Sequence, residues 1–329
     1  MSLNFTANNF SNNLQVFDKL GSLIEKLDEH GGWQPLRKAI DQQKDFVDWT
    51  EDYDNISQLK ISYLEGYGSY SFDNDIIDRG FHNYTKHILK PLIDKKIISD
   101  GSKPGSFDDQ KLRWSDTKVK SIVDICTQEI KLSIGPTWYQ QCQHDIHRSN
   151  VEAIQLMLAG LDSYSDPYAY FARGMGIVAI PITREGTAFI GTRSNTFEYN
   201  NYLSFVGGWL SFSSNPNDIN VYNDLERELQ EEIFYTDSLK PNNSVLVGLS
   251  GHPFTGETDL VFLVNTNLSD DHFVNGVWPE HKEWFPIGNK IEAEQLLLDG
   301  VPRGSKSKFD LMFSSRMGLH FLANNWWQS

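Results

Sequence analysis

The sequence predicts an α+β protein with two domains, and three observations carry that prediction. The 329 residues are enough for two domains of ordinary size. The stretch 163–167, Ser-Tyr-Ser-Asp-Pro, combines turn-forming residues with a proline and separates two regions of different character. Beyond it, β-rich runs are interspersed with amphipathic helical patterns, as in domains that mix helices and strands. We therefore predict an N-terminal mixed α/β domain at 1–165 and a second domain at 166–329.

The composition indicates a globular chain and excludes several classes of protein. Hydrophobic residues make up 39% of the sequence and aromatic residues 13%, which argues against a disordered chain. The formal net charge of −15 disfavours non-specific binding to nucleic acid or to anionic membranes, because both need clustered basic side chains. No apolar run approaches the roughly 18 residues of a membrane helix, and the N-terminus lacks a basic-then-apolar secretory signal. We expect a cytoplasmic protein without nucleic-acid or membrane partners.

The N-terminal half shows helical patterns separated by turn-rich stretches. Apolar residues at spacings of three and four predict helices at 14–27, 81–93, 119–132 and 151–158. This half lacks an acidic or nucleophilic cluster as specific as the one in the C-terminal half. We therefore expect it to contribute to the substrate pocket or to the contacts of a homodimer. Trp326 and Trp327 are expected to pack onto their own domain or onto a second subunit.

The C-terminal half contains both β-rich runs and helical patterns. Two runs around Arg184-Glu185-Gly186 predict a hairpin, and a third run ends in a pair of glycines. A polar loop and an amphipathic helix follow. In chain order, the predicted elements are strands at 175–182, 187–192 and 202–206, a helix at 221–234, strands at 245–250 and 260–265, and helices at 291–298 and 314–326.

An acidic run lies on the amphipathic helix. The sequence at 227–232 is Arg-Glu-Leu-Gln-Glu-Glu. Glu228, Glu231 and Glu232 are related as i, i+3 and i+4, so their carboxylates crowd onto one face and repel one another. A hard cation such as Mg²⁺ would remove that repulsion, because it prefers oxygen ligands. The alternative interpretation is an ordinary solvated face of a Glu-rich helix.

The surroundings of this run resemble a known motif. A strand ending in Gly207-Gly208, a loop, and a helix with Arg-Glu-apolar-x-Glu-Glu are the pattern of the Nudix hydrolases. The chain is similar to that family across about residues 170–300. The resemblance implies an αβα sandwich with a mixed sheet for the C-terminal domain. It also implies hydrolysis of a phosphoanhydride bond, with Mg²⁺ or Mn²⁺ as the cofactor.

Three features depart from the family motif. The loop after Gly208 is longer by five residues than in the motif. Ser214 stands where the motif has its first Glu, and Asp218 and Asp224 are candidates to replace it. Phe234 stands where the motif has its last Gly. Because the missing residues mainly serve loop and helix-end structure in the family, we expect the metal-binding carboxylates to be retained.

The resemblance assigns roles to five residues of this segment. Glu228 and Glu232 are expected to be the principal metal ligands. Glu231 is expected to be a third ligand, direct or through water, and a catalytic carboxylate. The Gly207 carbonyl is expected to be a fourth ligand. Arg227 is expected to orient the acidic cluster for catalysis.

Two further candidates come from other segments. The family often adds an acid from a later loop, as base or as ligand. Glu257 is our candidate and Glu283 the alternative, while a surface position without a role remains open for both. Arg193, at the end of the hairpin's second strand, is placed to bind the substrate. A strand-end arginine in a surface ion pair is an equally good interpretation.

A narrower resemblance covers more of the chain. The runs at 135–139, 166–170 and 280–285 are similar to a eukaryotic Nudix group that hydrolyses UDP-glucose and UDP-galactose and carries its own N-terminal domain. It implies a small-molecule nucleoside diphosphate derivative as substrate, with a nucleotide sugar of the UDP-sugar or ADP-ribose type favoured. The loop at 196–202 offers aromatic and amide groups for a base and a sugar. The alternative is an inactive Nudix-fold module that senses such a ligand without cleaving it.

Overall fold

The computed structural model describes most of the chain. The described residues are 14–53, 56–72, 110–116, 122–124, 126–194, 199–237 and 243–324, with single or paired positions between 74 and 91 and at 239. Most of the predicted helix at 81–93, part of the loop at 196–202, and Trp326 and Trp327 lie outside them. Within the described ranges, no helix combines the length and the hydropathy that a membrane span requires.

In the N-terminal half, helices flank a small sheet. In chain order the described elements are α1 (Leu14–His30), α2 (Gln34–Asp41), β1 (Val47–Asp48), β2 (Lys60–Glu65), β3 (Gln110–Trp114), β4 (Val123–Asp124), β5 (Glu129–Trp138), α3 (Tyr139–Ile146) and α4 (Asn150–Tyr164). Strands β2, β5 and β3 lie side by side in that order, and β4 also pairs with β5. A capping box between Ser149 and Glu152 fixes the first turn of α4.

The C-terminal half contains the predicted strands and helices, with bounds that differ by a few residues. They are β6 (Met175–Ile182), β7 (Ala188–Arg193), β8 (Leu203–Ser204), β9 (Val206–Trp209), α5 (Val221–Ile233), β10 (Ser244–Gly251), β11 (Thr258–Asn265), α6 (Asp270–Asn275), β12 (His281–Ile287), α7 (Lys290–Asp299) and α8 (Phe313–Asn324). A short 3₁₀ turn at Pro216–Asp218 lies in the loop before α5.

The main sheet is mixed. Its strand order is β1-β10-β11-β6-β7-β12, with β8 on β7 and β9 on β6. The pair β11–β6 is parallel, and the other pairs are antiparallel. Every residue of β6 is buried, as expected for a central strand covered on both faces. The predicted α+β class is therefore confirmed.

Helices cover both faces of this sheet. On one face, Leu225 and Leu229 of α5 belong to the same buried cluster as Ile177 of β6. On the other face, Leu319 of α8 belongs to a second buried cluster with Val178, the next residue of that strand. Because successive side chains of a strand point to opposite faces, α5 and α8 lie on opposite sides of the sheet. This is the αβα layering that the resemblance implied.

The predicted helix at 119–132 is wrong. Its described residues, 122–124 and 126–132, form β4, a turn and the beginning of β5. Along β5, Ile130, Leu132 and Ile134 are buried at a spacing of two residues, whereas the side chains between them are only partly buried. The β-branched residues of the segment favour a strand, and Gln128 has a φ of 54°, which interrupts any helix. Cys126 consequently lies exposed in the turn.

The two sheets are joined by strand β3. The Leu112 N–H donates to the Leu210 carbonyl at 3.0 Å, and the Phe212 N–H donates to the Gln110 carbonyl at 3.3 Å. The chain that follows β9 therefore continues along the edge of β3. In addition, β1 pairs with β10 in the main sheet. The division of the chain into domains at 1–165 and 166–329 stays a prediction. Strands of the first part form hydrogen bonds with strands or extended chain of the second part.

Candidate active site

The acidic run lies on a helix with well-defined ends. The Asn220 side chain accepts a hydrogen bond from the Tyr222 N–H at 3.0 Å and caps the first turn of α5. Leu225, Leu229 and Ile233 are fully buried, so one side of the helix is fixed against the sheet. This anchoring turns Glu228 and Glu232 toward β9, and it leaves Glu231 on the side that faces solvent.

Two glycines of β9 allow the helix carboxylates to approach the main chain. The Gly207 N–H donates a hydrogen bond to Glu232 Oε1 at 3.1 Å. A Cβ atom at position 208 would collide with the Glu228 carboxylate. The missing side chain at position 208 therefore makes room for the Glu228 carboxylate, whereas at position 207 a Cβ atom would collide with the Ile177 carbonyl oxygen.

Glu228 and Glu232 are both buried carboxylates. Glu228 is 8% exposed and Glu232 is 1% exposed. Burial raises the pKa of Glu228 to about 7, although the Arg227 guanidinium, 2.7 Å away, acts in the opposite direction. Burial also raises the pKa of Glu232 well above its usual range. The two side chains thus form a site where negative charge is poorly compensated.

One oxygen of Glu232 lacks a hydrogen bond. Glu232 Oε2 is buried and has no hydrogen-bond partner among the described residues. It lies 3.3 Å from Nδ1 of His281, which is also buried and also lacks a hydrogen bond on that atom within the described chain. Burial, together with the nearby Arg193, lowers the pKa of His281 to about 3, so the imidazole is neutral. A buried carboxylate oxygen without a donor is a free acceptor for a cation.

Glu231 and Arg227 lie on the outer side of the same helix. Glu231 has a side chain 60% exposed, and its Oε2 lies 3.2 Å from Arg227 Nη1. Arg227 also approaches Asp224 at 3.5 Å, so one guanidinium contacts three acids of α5. Among the described residues, no group of three or more His, Cys, Asp or Glu side chains is arranged to hold a metal ion. Glu228 and Glu232 are therefore brought together at the glycines, while Glu231 is directed to solvent.

Arg193 lies at this site and brings a further acid with it. It is the last residue of β7, it pairs in register with His281 of β12, and its side chain is 11% exposed. Its Nη2 lies 3.4 Å from Glu280 Oε2. The negative charge of Glu280 also contributes to raising the pKa of both Glu228 and Glu232.

Glu280 is the site residue that the sequence reasoning missed. It opens the run at 280–285 and stands directly before β12. The sequence shows only an acid just before a strand. Its proximity to Arg193 depends on the pairing of that strand with β7, which joins residues almost 90 positions apart. Glu283, the alternative base, is exposed on β12.

Glu257 is held by other groups. It is 3% exposed and directly precedes β11. Its Oε2 accepts hydrogen bonds from the Tyr199 hydroxyl at 2.7 Å and from the Thr255 hydroxyl at 3.0 Å. The structure thus connects the loop after β7 with the predicted base. Its catalytic role stays a prediction.

The departures from the motif have structural counterparts. Phe234 follows α5 with a φ of 55°, the left-handed conformation that usually favours glycine. Of the two candidates to replace the missing Glu, Asp224 contacts Arg227, whereas Asp218 lies in the 3₁₀ turn of the preceding loop. The longer loop begins with residues 210–212, which run along β3. Each departure is therefore accommodated without moving the helix from the glycines.

The donor chemistry fits a divalent cation such as Mg²⁺. Glu228 and Glu232 supply carboxylate oxygens, the ligands that hard cations prefer. The unpartnered Glu232 Oε2 and the raised pKa values of both helix carboxylates indicate negative charge that lacks compensation. The fit rests on these two carboxylates and not on Glu231, whose side chain is directed to solvent.

Comparison with known proteins finds likeness only among solved structures. No protein-family model matches the sequence, and no curated protein matches it. The protein DR0079 of Deinococcus radiodurans aligns with 48% of this chain and 88% of its own length, at 16% identity and a TM-score of 0.33. The NUDIX domain of Shewanella oneidensis NrtR, solved with ADP ribose, aligns with 49% of this chain and 93% of its own length, at 12% identity and a TM-score of 0.31.

A third similar structure is the dihydroneopterin triphosphate pyrophosphohydrolase of E. coli. It aligns with 46% of this chain and 95% of its own length, at 12% identity and a TM-score of 0.30. Within this chain, helices lie on both faces of a mixed sheet, and a Gly-Gly strand lies against a helix with Arg-Glu-x-x-Glu-Glu. The Gly-Gly strand and the acidic helix that the sequence pattern predicted are thus adjacent in the C-terminal half of the chain.

Proposed function

We propose that residues 166–329 form a hydrolase domain that cleaves a phosphoanhydride bond with the help of Mg²⁺ or Mn²⁺. The substrate would be a nucleoside diphosphate linked to another moiety, with a nucleotide sugar of the UDP-sugar or ADP-ribose type favoured. The observation that carries this proposal is the approach of the buried Glu228 and Glu232 carboxylates to Gly207 and Gly208, with one carboxylate oxygen left without a donor.

Glu228 and Glu232 would hold the cation, with Glu280 or the Gly207 carbonyl as further oxygen ligands. When bound, a divalent cation neutralises charge on phosphate oxygens and lowers the pKa of a coordinated water. Arg227 would keep the acids of α5 oriented, since it contacts both the buried Glu228 and the exposed Glu231. The same proposal assigns Arg193 to the substrate's phosphates.

Two carboxylates are available to accept a proton from the attacking water. Glu231 is exposed on the outer side of α5, where water reaches it. Glu257 is buried and held in one orientation by Tyr199 and Thr255. A general base must lie within hydrogen-bond reach of the water, so comparing the Glu231→Gln and Glu257→Gln variants would identify which one acts.

A nucleotide sugar is favoured over a triphosphate for a reason of charge. The chain has a net charge of −15, which repels a highly charged substrate more than one with two phosphates. Tyr199 and Tyr202 pack edge to face in the loop directly after Arg193, with ring centroids 5.4 Å apart. Their rings and hydroxyls are suited to a base and a sugar.

The proposal is tested by a substrate screen in Mg²⁺ with UDP-glucose, ADP-ribose and a deoxynucleoside triphosphate. We expect kcat/KM to be highest for one of the first two, and activity to fall at least about 100-fold in Glu232→Gln, as for loss of a principal charged group in an active site. Glu294→Gln, an exposed change on α7, is the matched control and should retain wild-type activity. Equal activity of the two variants would contradict the metal-ligand assignment.

The alternative function is a sensing module that binds the nucleotide without cleaving it. It is favoured by the solvent-facing position of Glu231 and by the lack of a three-ligand arrangement in the described part of the chain. Calorimetric binding of UDP-glucose without product formation, in the presence of Mg²⁺ and of Mn²⁺, would establish the sensor and exclude the hydrolase. A homodimer and a cytoplasmic location stay predictions.

A further inference from the structure

We infer that His252 is a positioning residue of the proposed hydrolase: its imidazole fixes the loop at 252–257 and thereby orients the Glu257 carboxylate for proton transfer. This inference rests on the proposed function, in which Glu257 is one of two candidate bases. It adds to that function a residue that lies outside the acidic helix and that acts through another side chain.

The His252 ring accepts hydrogen bonds from its own loop. Nδ1 accepts from the Phe254 N–H at 3.3 Å and from the Thr255 N–H at 3.1 Å. A ring nitrogen that accepts hydrogen bonds carries no proton, so the proton of the neutral ring lies on Nε2. Burial lowers the pKa of His252 to about 4, which keeps the ring neutral at neutral pH. The imidazole thus satisfies two main-chain donors of a tight turn, as the side-chain oxygen of Asn or Asp does in other turns.

Main-chain hydrogen bonds close the same loop. The Gly256 N–H donates to the His252 carbonyl at 3.0 Å, and the His252 N–H donates to the Glu257 carbonyl at 2.8 Å. Gly256 has a φ of 71°, and a Cβ atom there would collide with the ring of Tyr168. The Tyr168 hydroxyl donates to the Pro253 carbonyl at 2.8 Å. Because Tyr168 belongs to the segment that leads into β6, the loop is held from inside by His252 and from outside by Tyr168.

One hydroxyl connects the imidazole to the candidate base. The Thr255 hydroxyl donates to Glu257 Oε2 at 3.0 Å and accepts from the Glu257 N–H at 3.3 Å. The imidazole holds the main chain of Thr255, and Thr255 holds both the main chain and the carboxylate of Glu257. A general base must keep its oxygen within hydrogen-bond reach of the water that it deprotonates. Loss of the imidazole should therefore slow the chemical step and leave substrate binding unchanged.

Two substitutions at position 252 separate the two ring nitrogens. In His252→Asn, the side-chain oxygen lies close to the position of Nδ1 and is able to accept from the same N–H groups. In His252→Gln, the oxygen lies one bond farther from the main chain, close to the position of Nε2. Both variants replace the imidazole with a neutral amide, so their difference isolates the acceptor at Nδ1. His320→Gln, an exposed change on α8, is the control for loss of an imidazole elsewhere.

The experiment combines steady-state kinetics and amide hydrogen exchange on the full chain. The substrates are UDP-glucose and ADP-ribose in Mg²⁺. We expect His252→Gln to lower kcat at least about tenfold, with KM within about twofold of the wild type, because the base is misplaced and binding is not. We also expect the Phe254 and Thr255 amides to exchange at least about fivefold faster, because each loses its acceptor. His252→Asn and His320→Gln should stay within about threefold of the wild type in both measurements.

The outcomes separate this inference from the proposed function. Equal kcat values in His252→Asn and His252→Gln, or a change in KM alone, would show that Nδ1 does not position the base. If exchange is faster in His252→Gln but kcat is unchanged, Glu257 is not the base; the inference then fails, and the hydrolase remains with Glu231. If the wild type hydrolyses neither substrate, the proposed function and the positioning role fail together. Should His252→Gln not fold, Thr255→Val replaces it, with the same loss of kcat expected because it removes the hydroxyl that holds Glu257.

Discussion

The Glu228 carboxylate lies where its ionised form is unfavourable unless a cation is bound. Burial raises its pKa to about 7. An acid with a raised pKa in the folded state stabilises the protein fully below its unfolded pKa, near 4.5, and this contribution is lost as the pH rises through about 7. In EDTA, we therefore expect Glu228→Gln to gain stability relative to the wild type as the pH rises, by up to about 3 kcal/mol between pH 4 and pH 8. Urea unfolding at a series of pH values measures this difference.

The comparison of Glu228→Gln with the wild type needs a control variant and a test of whether a cation reverses the stability difference. Glu294→Gln removes an exposed carboxylate of α7, and its stability relative to the wild type should not depend on pH in this way. Adding Mg²⁺ at pH 8 should reduce the advantage of Glu228→Gln, because a bound cation favours the ionised form of the wild-type side chain. A difference between Glu228→Gln and the wild type that stays constant from pH 4 to pH 8 would show that Glu228 titrates normally.

At the scale of the element, helix α5 ends in a conformation that its sequence does not favour. Phe234 has a φ of 55°, and its half-exposed ring stacks on Trp278 with centroids 5.8 Å apart. Truncation to Ala or to Gly removes the ring in both cases, so the difference between the two variants isolates the backbone. We expect Phe234→Gly to be more stable than Phe234→Ala by about 1 kcal/mol, since glycine adopts this conformation without strain. Thermal or urea unfolding measures the difference.

The same pair of substitutions should have the opposite effect inside the helix. Gln230 is exposed in the interior of α5. There, Gly should be less stable than Ala by about 1 kcal/mol, because the helix gains nothing from the freedom of glycine. If Ala is preferred at both positions, residue 234 does not have a left-handed conformation in solution.

The elements also show what the sequence could predict. Helix α5 was predicted within one residue, because its apolar spacing and its end signals are local. The prediction for 119–132 is wrong because the apolar residues of this segment fit the three- and four-residue spacing of a helix. In the structure, Ile130 and Leu132 follow the two-residue spacing of a strand and lie on one face of it. The run of residues 210–212 beside β3 could not be predicted. It depends on pairing between segments about one hundred residues apart.

The candidate site also has residues that local sequence patterns predict and residues whose position depends on tertiary packing. Glu228 and Glu232 could be identified because both lie on one helix, where a spacing of four residues implies proximity. That Glu231 faces solvent and not the glycines depends on how α5 is rotated against the sheet, which the tertiary packing decides. Glu280 contacts Arg193 through the pairing of β12 with β7, and no local pattern encodes that pairing.

At the scale of the whole molecule, buried arginines connect the two halves of the chain. Arg113 of β3 is fully buried. It donates to the Tyr168 carbonyl at 2.8 Å and to the Phe171 carbonyl at 3.2 Å, in the segment that leads into β6. Burial raises the pKa of Asp166, and the charges of Arg173 and Arg113 act in the opposite direction. The segment between the sheets is thus held by a side chain from the N-terminal half.

We expect Arg113→Met to destabilise the protein by about 3–5 kcal/mol, because it removes the buried donor to the Phe171 carbonyl and one of the two arginine charges near Asp166, that of Arg173 remaining. Arg37→Met is the matched control. Arg37 pairs with Asp28 and Asp41 on the surface, so its loss should cost less than about 1 kcal/mol.

Hydrogen exchange then tests whether the two halves of the chain unfold as one cooperative unit. Amides of β5 and of β6 should lose protection together in Arg113→Met, since β3 and β9 join their sheets. Loss of protection confined to β5 would mean that the two halves unfold independently and that the acidic site does not need the N-terminal sheet.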